Sequence, residues 1–112
     1  MLRRLTPVLV LSALAAGCGV DEDNFTEKAA EVTCGYVERC YLGDFVDKWD
    51  DMTECVEDTI DDTEKIHEEL NDRCDFDREK ADRCLDSYRE ATRSCDEDDI
   101  EWDDCLEIWD DC

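Results

Sequence analysis

Positive charge is scarce in this chain: 12 Lys+Arg stand against 35 Asp+Glu in 112 residues. Affinity for nucleic acid comes from neutralising phosphates with Lys and Arg, so that class of partner is opposed by charge. Histidine is scarcer still, with His67 alone. A lone histidine with no nucleophile beside it gives no support to Ser-His-Asp chemistry. Proline occurs once, at Pro7. No β-branched alternation or Asn-Gly hairpin signal is present, so strands are not expected. Long apolar runs are also missing. The longest, Leu5 to Ala16, has 12 residues, short of the roughly 20 a spanning helix requires.

Cysteine, by contrast, is abundant: nine, an odd number. Cys18 follows Leu14-Ala15-Ala16-Gly17, behind an apolar run that opens after Arg3 and Arg4. A basic segment, an apolar segment and small residues before a cysteine are the layout of a bacterial lipoprotein signal, in which the cysteine is acylated and becomes the new N-terminus. An ordinary secretory signal cut elsewhere is the alternative. Assigning Cys18 to the lipid leaves Cys34, Cys40, Cys55, Cys74, Cys84, Cys95, Cys105 and Cys112, enough for four disulfides with no thiol over.

The expected organisation is a signal peptide over 1–17, a lipidated N-terminus and acidic spacer over 18–24, and a cysteine-rich domain over 25–112. Loss of Arg3 and Arg4 leaves 10 basic residues against 35 acidic ones, a net of −25 on the mature chain. Self-repulsion at that density opposes compaction and predicts stabilisation by added salt. A single small domain is marginal without help. Disulfides are the help available outside the cytoplasm, at about 2–4 kcal/mol each.

The pattern after residue 24 is helical. Phe25, Ala29, Val32, Tyr36 and Cys40 predict a helix over 25–41, and Gly43 a break. Trp49, Met52, Val56, Thr59, Thr63, Ile66 and Leu70 predict a second over 49–71, with Thr53 as an alternative cap. Asp75 or Asp77 would cap a third over 77–95, with Ala81, Cys84, Leu85, Tyr88, Ala91 and Cys95 on one stripe. Trp102, Cys105, Leu106 and Trp109 predict a fourth over 99–111. The fold class expected is all-α, a small disulfide-stapled antiparallel four-helix bundle, because short connections favour up-down-up-down neighbours.

Helix geometry restricts the 105 connectivities that eight cysteines allow. Cys84 and Cys95 would be about 16 Å apart on one helix, Cys34 and Cys40 about 9 Å, and Cys105 and Cys112 about 10 Å, beyond the reach of a disulfide. The bundle topology gathers Cys40, Cys55, Cys95 and Cys105 at one end and leaves Cys34, Cys74, Cys84 and Cys112 elsewhere. Nine connectivities survive that division. The favoured one is Cys40–Cys55, Cys95–Cys105, Cys34–Cys84 and Cys74–Cys112. Zinc is disfavoured, since the intervals between these cysteines contain no short pair. The spacings Cys74-x₉-Cys84 and Cys95-x₉-Cys105 are similar to those of mitochondrial intermembrane-space hairpins. Here, though, Cys84 and Cys95 would share one helix, and the leader points to bacterial export.

The lipid-cysteine signal at Cys18, the small acidic body and the ordered cysteines resemble the small cysteine-rich lipoproteins of myxobacteria and related delta-proteobacteria. That resemblance implies a helical domain attached to the outer membrane and no particular activity. Gly19 after the lipid cysteine is not an inner-membrane retention signal.

The expected role is therefore non-enzymatic: a lipid-anchored envelope protein that binds or coats, without cofactor. Its possible partners are a basic protein or divalent cations, besides the membrane. Alternatives are a diffuse divalent-cation binder, through clusters such as Asp21-Glu22-Asp23 and Asp96-Glu97-Asp98-Asp99, or an exported small inhibitor of an enzyme. Carboxylate pairs such as Asp50-Asp51 and Asp103-Asp104 follow from the composition and need no catalytic reading. An exposed ring at Trp102 or Trp109 would mark a protein-contact patch.

Overall fold

The computed structural model describes residues 19–112; the signal segment and Cys18 lie outside the described residues. Among the described residues five α-helices follow one another: α1 (Phe25–Cys40), α2 (Leu42–Lys48), α3 (Met52–Arg73), α4 (Arg78–Ser94) and α5 (Trp102–Leu106). A two-residue strand β1 (Asp75–Phe76) pairs antiparallel with β2 (Trp109–Asp110), Phe76 facing Trp109. A 3-10 turn spans Glu97–Asp99.

The helix starts follow local chemistry. Asp51 accepts the Glu54 amide at 2.9 Å, and the Glu54 carboxylate reaches back to the Asp50 amide at 2.7 Å. The first bond satisfies a donor that the first turn leaves orphaned and the second fixes the chain entering the cap, so α3 begins at Met52 rather than at residue 49 or behind Thr53. Asp77 caps α4 by accepting the Lys80 amide at 3.1 Å. That helix ends where Cys95 turns left-handed at φ 56°, the usual conformation of a residue that terminates a helix.

Two expectations fail locally. Gly43 does not break the chain; Tyr41 alone leaves helical geometry and α2 resumes at Leu42. Burial of Phe45 against the Cys34–Cys55 bridge supplies the packing that offsets a glycine, whose helical penalty is about 1 kcal/mol. The last helix covers 102–106 instead of 99–111. Glu107, Asp110 and Asp111 would oppose the negative pole of a longer helix. Extended backbone instead sends Ile108 into the core and Trp109 onto Phe76, which forms a strand pair that the sequence pattern does not lead one to expect.

Helix α1 is central, packing against both α3 and α4. The helices α2, α3 and α4 pack on that centre and α5 packs on α4, in place of the expected up-down-up-down set of four. Three small cores result. Val20, Phe25, Ala81, Leu85 and Ile108 form one; Phe45 with the Cys34–Cys55 bridge forms the second; Tyr36, Ala91 and Ile100 form the third. Ile66, expected on the buried stripe of α3, is 57% exposed, because α3 turns Thr59, Thr63 and His67 toward α1 instead.

All eight cysteines after Cys18 are bridged: Cys34–Cys55, Cys40–Cys95, Cys74–Cys112 and Cys84–Cys105. Of the favoured pairs, Cys74–Cys112 is present. Cys40–Cys55, Cys95–Cys105 and Cys34–Cys84 are not, and the division into two sets fails at Cys34–Cys55 and Cys84–Cys105. The reasons are geometric. The added helix α2 delays the return of the chain, so Cys55 meets α1 at Cys34, about 9 Å short of its end. The extended run through Ile100 carries the chain back along α4, so Cys105 meets Cys84, about 16 Å from Cys95. The four bridges close a ring: α3 to α1, α1 to α4, α4 to α5, and the C-terminus back to the end of α3. Such bridges belong to an oxidising, extracytoplasmic environment. Among the described residues no helix is long and apolar enough to cross a membrane.

Candidate binding surfaces

Two features stand out on the scaffold. The first is a groove of about 300 Å³ where α3 and α4 diverge over α1. Phe25, Val32, Leu85, Tyr88 and Trp109 supply its apolar wall, and Thr59, Thr63 and His67, one helical turn apart on α3, its polar edge. His67, the single histidine of the chain, has no triad partners in the sequence. The structure makes it a half-buried structural group: Nδ1 and the Thr26 hydroxyl share a hydrogen bond at 2.8 Å, and the ring lies 5.4 Å from Phe25 and 5.0 Å from Trp109 between centroids. The four-residue spacing of Thr59, Thr63 and His67 was the available signal. Trp109 is held in turn by its indole N–H, which donates to Asn71 Oδ1 at 2.7 Å.

Burial lowers the His67 pKa below its ordinary 6.5, because desolvation penalises the charged ring. Below that value the unfolded chain therefore binds more protons than the native one. The stability contributed by neutral His67 is complete above about pH 6.5 and is lost as pH falls through the lowered native value. Thermal melts between about pH 7.5 and pH 5 are expected to show a smaller acid-induced fall for His67→Gln than for the parent. Parallel profiles would refute this role.

The second feature is α5. Trp102 is 48% and Leu106 79% exposed, one turn apart on the same face. Trp102 makes an edge contact with Tyr88, 6.2 Å between centroids. Glu101, Asp103 and Glu107 are exposed around them. Two ion pairs pin the helix to α4: Lys80 to Glu107 at 2.9 Å, and Arg83 to Asp104 through two nitrogens at 3.2 and 3.3 Å. Hydrogen bonding to these carboxylates raises both the Lys80 and Arg83 pKa values. The pairs are solvent-accessible, so they orient α5 more than they stabilise it. Trp109, seven residues on, is part of the core instead.

The acidic clusters singled out in the sequence serve local turns. Asp21 Oδ1 accepts the amides of Asp23 and Asn24, and Asp96 Oδ1 accepts that of Asp98. The structure gathers a different set: carboxylate oxygens of Asp75, Asp110 and Asp111, all exposed, lie within 4.8 Å of one another beside the strand pair. Comparison with protein-family models, with curated proteins and with solved structures finds no match to this chain.

Proposed function

We propose that this is a non-enzymatic, lipid-anchored envelope protein, held by an acylated Cys18 and acting as a binding module for a basic protein. Export as a lipoprotein of the bacterial outer membrane, of the kind the leader and cysteine pattern resemble, is part of the same reading. The single observation that carries it is the exposed Trp102–Leu106 face of α5 set among Glu101, Asp103 and Glu107. Aromatic anchors dominate interface energetics, and an acidic surround steers basic partners toward them. A photo-crosslinker at position 106, used in the native envelope, is expected to capture a basic protein. Trp102→Ala should lower the yield at least about tenfold, the scale of a hot-spot loss, while the melting temperature barely moves. An unchanged yield from Trp102→Ala, or a captured protein that is acidic, would refute the reading.

Diffuse divalent-cation binding is the second reading, favoured by the convergence of Asp75, Asp110 and Asp111. Hard cations prefer carboxylate oxygens, and counter-ions relieve the repulsion of a chain at −25. Calorimetric titration of residues 19–112 with calcium should give a binding heat that Asp110→Asn diminishes. No heat at millimolar calcium removes this reading.

A further inference from the structure

The stretch between Cys18 and α1 reads as an acidic spacer, and in the structure it packs against the domain. Val20 is 2% exposed and packs among Phe25, Ala81, Leu85 and Ile108. Asp21 and Asn24 close a turn on each other: Asn24 Oδ1 accepts the Asp21 amide at 2.8 Å, and Asp21 Oδ1 accepts the Asn24 amide at 3.0 Å. The Asn71 amide nitrogen donates to the Glu22 carbonyl at 3.3 Å and ties the turn to α3. Gly19 is left-handed at φ 68° over Asp82 of α4. The packed chain therefore reaches back to Gly19, the residue next to Cys18.

We propose that the surface formed by α1 and α4 beside Gly19 is a membrane-docking face, seated on the headgroups of the bilayer that holds the Cys18 lipid. The inference rests on the lipid-anchor reading. Two residues reach at most about 7 Å, and the headgroup layer is itself about 5–8 Å deep on each side. An anchor at Cys18 thus brings the surface around Gly19 into that layer and prevents the body from swinging clear. Charge selects which surface. The end of the domain next to Gly19 carries Asp21, Glu22 and Asp23 together with Asp75, Asp110 and Asp111 against Arg78, an acidic excess that anionic headgroups repel. The flank carries Lys28, Asp82, Asp86 and Arg89 around Gly19 and Val20, with Arg89 paired to Asp86 at 2.7 Å. Its charges balance in a chain of net −25, and its Lys and Arg can reach phosphate. The domain therefore lies on this flank instead of standing on its acidic end.

The test uses the natively processed lipoprotein in vesicles of phosphatidylethanolamine and phosphatidylglycerol. Amine acetylation read by mass spectrometry compares Lys28, on the docking face, with Lys65 on α3. Lys28 is expected to react several-fold more slowly relative to Lys65 than in a variant carrying a Gly/Ser linker of about 12 residues after Cys18. Such a linker spans roughly 20 Å as a random coil and frees the body from the surface. An acylated, vesicle-bound protein whose Lys28:Lys65 ratio is the same with and without the linker overturns the docking face and leaves the anchor standing. Protein that carries no acyl mass and does not float with the vesicles overturns the anchor, and the docking face with it.

Discussion

Reduction of the four disulfides at neutral pH is expected to abolish the helical circular dichroism of residues 19–112. The bridges span 21, 55, 38 and 21 residues, and loop-closure entropy gives each a contribution of about 3–4 kcal/mol. A domain of this size has a total stability of only about 5–14 kcal/mol. The three cores are small, and the acidic surface repels itself at every stage of compaction. Because the crosslinks form a ring, every helix except α2 loses a covalent tie when all are opened. Far-UV spectra before and after treatment with a reductant, at low and at high salt, measure the effect. Salt screens the repulsion and should return part of the lost signal. A fully helical spectrum after complete reduction, with free thiols counted, would show that packing alone holds the fold.

What the sequence discloses and what it hides divide along physical lines. The start of α1 at Phe25 and the span of α4 are readable because apolar residues recur there every three or four positions and Asp77 stands at the cap. The helix α2 is hidden because its one buried side chain, Phe45, acts through a contact with a bridge formed by residues outside it. The pairing is hidden for a related reason. One unforeseen helix displaces Cys55 by about 9 Å along α1, which is enough to change its partner. Trp102 and Trp109 are the same residue one heptad apart, so periodicity assigns them one environment. Their separation into an exposed and a core ring follows only from the helix ending at Leu106. Val20 is the hardest case, since a single valine in an acidic run gives no periodic signal. Only the hydrophobic gap between α1, α4 and Ile108 explains its burial.

Phe25→Ala is expected to lower stability by about 3–5 kcal/mol, among the largest effects available to a single substitution here. Phe25 is 5% exposed and makes tilted or edge contacts with His67, Phe76 and Trp109 at 5.4, 5.7 and 5.4 Å between centroids. It thereby joins α1 to α3 and to both strands, and it shares its core with Val20 of the N-terminal turn. Truncation removes that junction and opens the groove wall at the same point. The urea midpoint should fall with an unchanged slope. Amide exchange should quicken at Asp77, whose N–H donates to the Ile108 carbonyl at 2.7 Å, since that bond holds the strand pair beside the lost ring. Amides of α1 near the Cys34–Cys55 bridge lie in a separate core and should keep their protection relative to global unfolding. Ile66→Ala, at an exposed site on α3, serves as the control and should shift stability by no more than about 0.5 kcal/mol. A Phe25→Ala midpoint as close to the parent as that control would mean that the aromatic junction does not organise this end of the molecule.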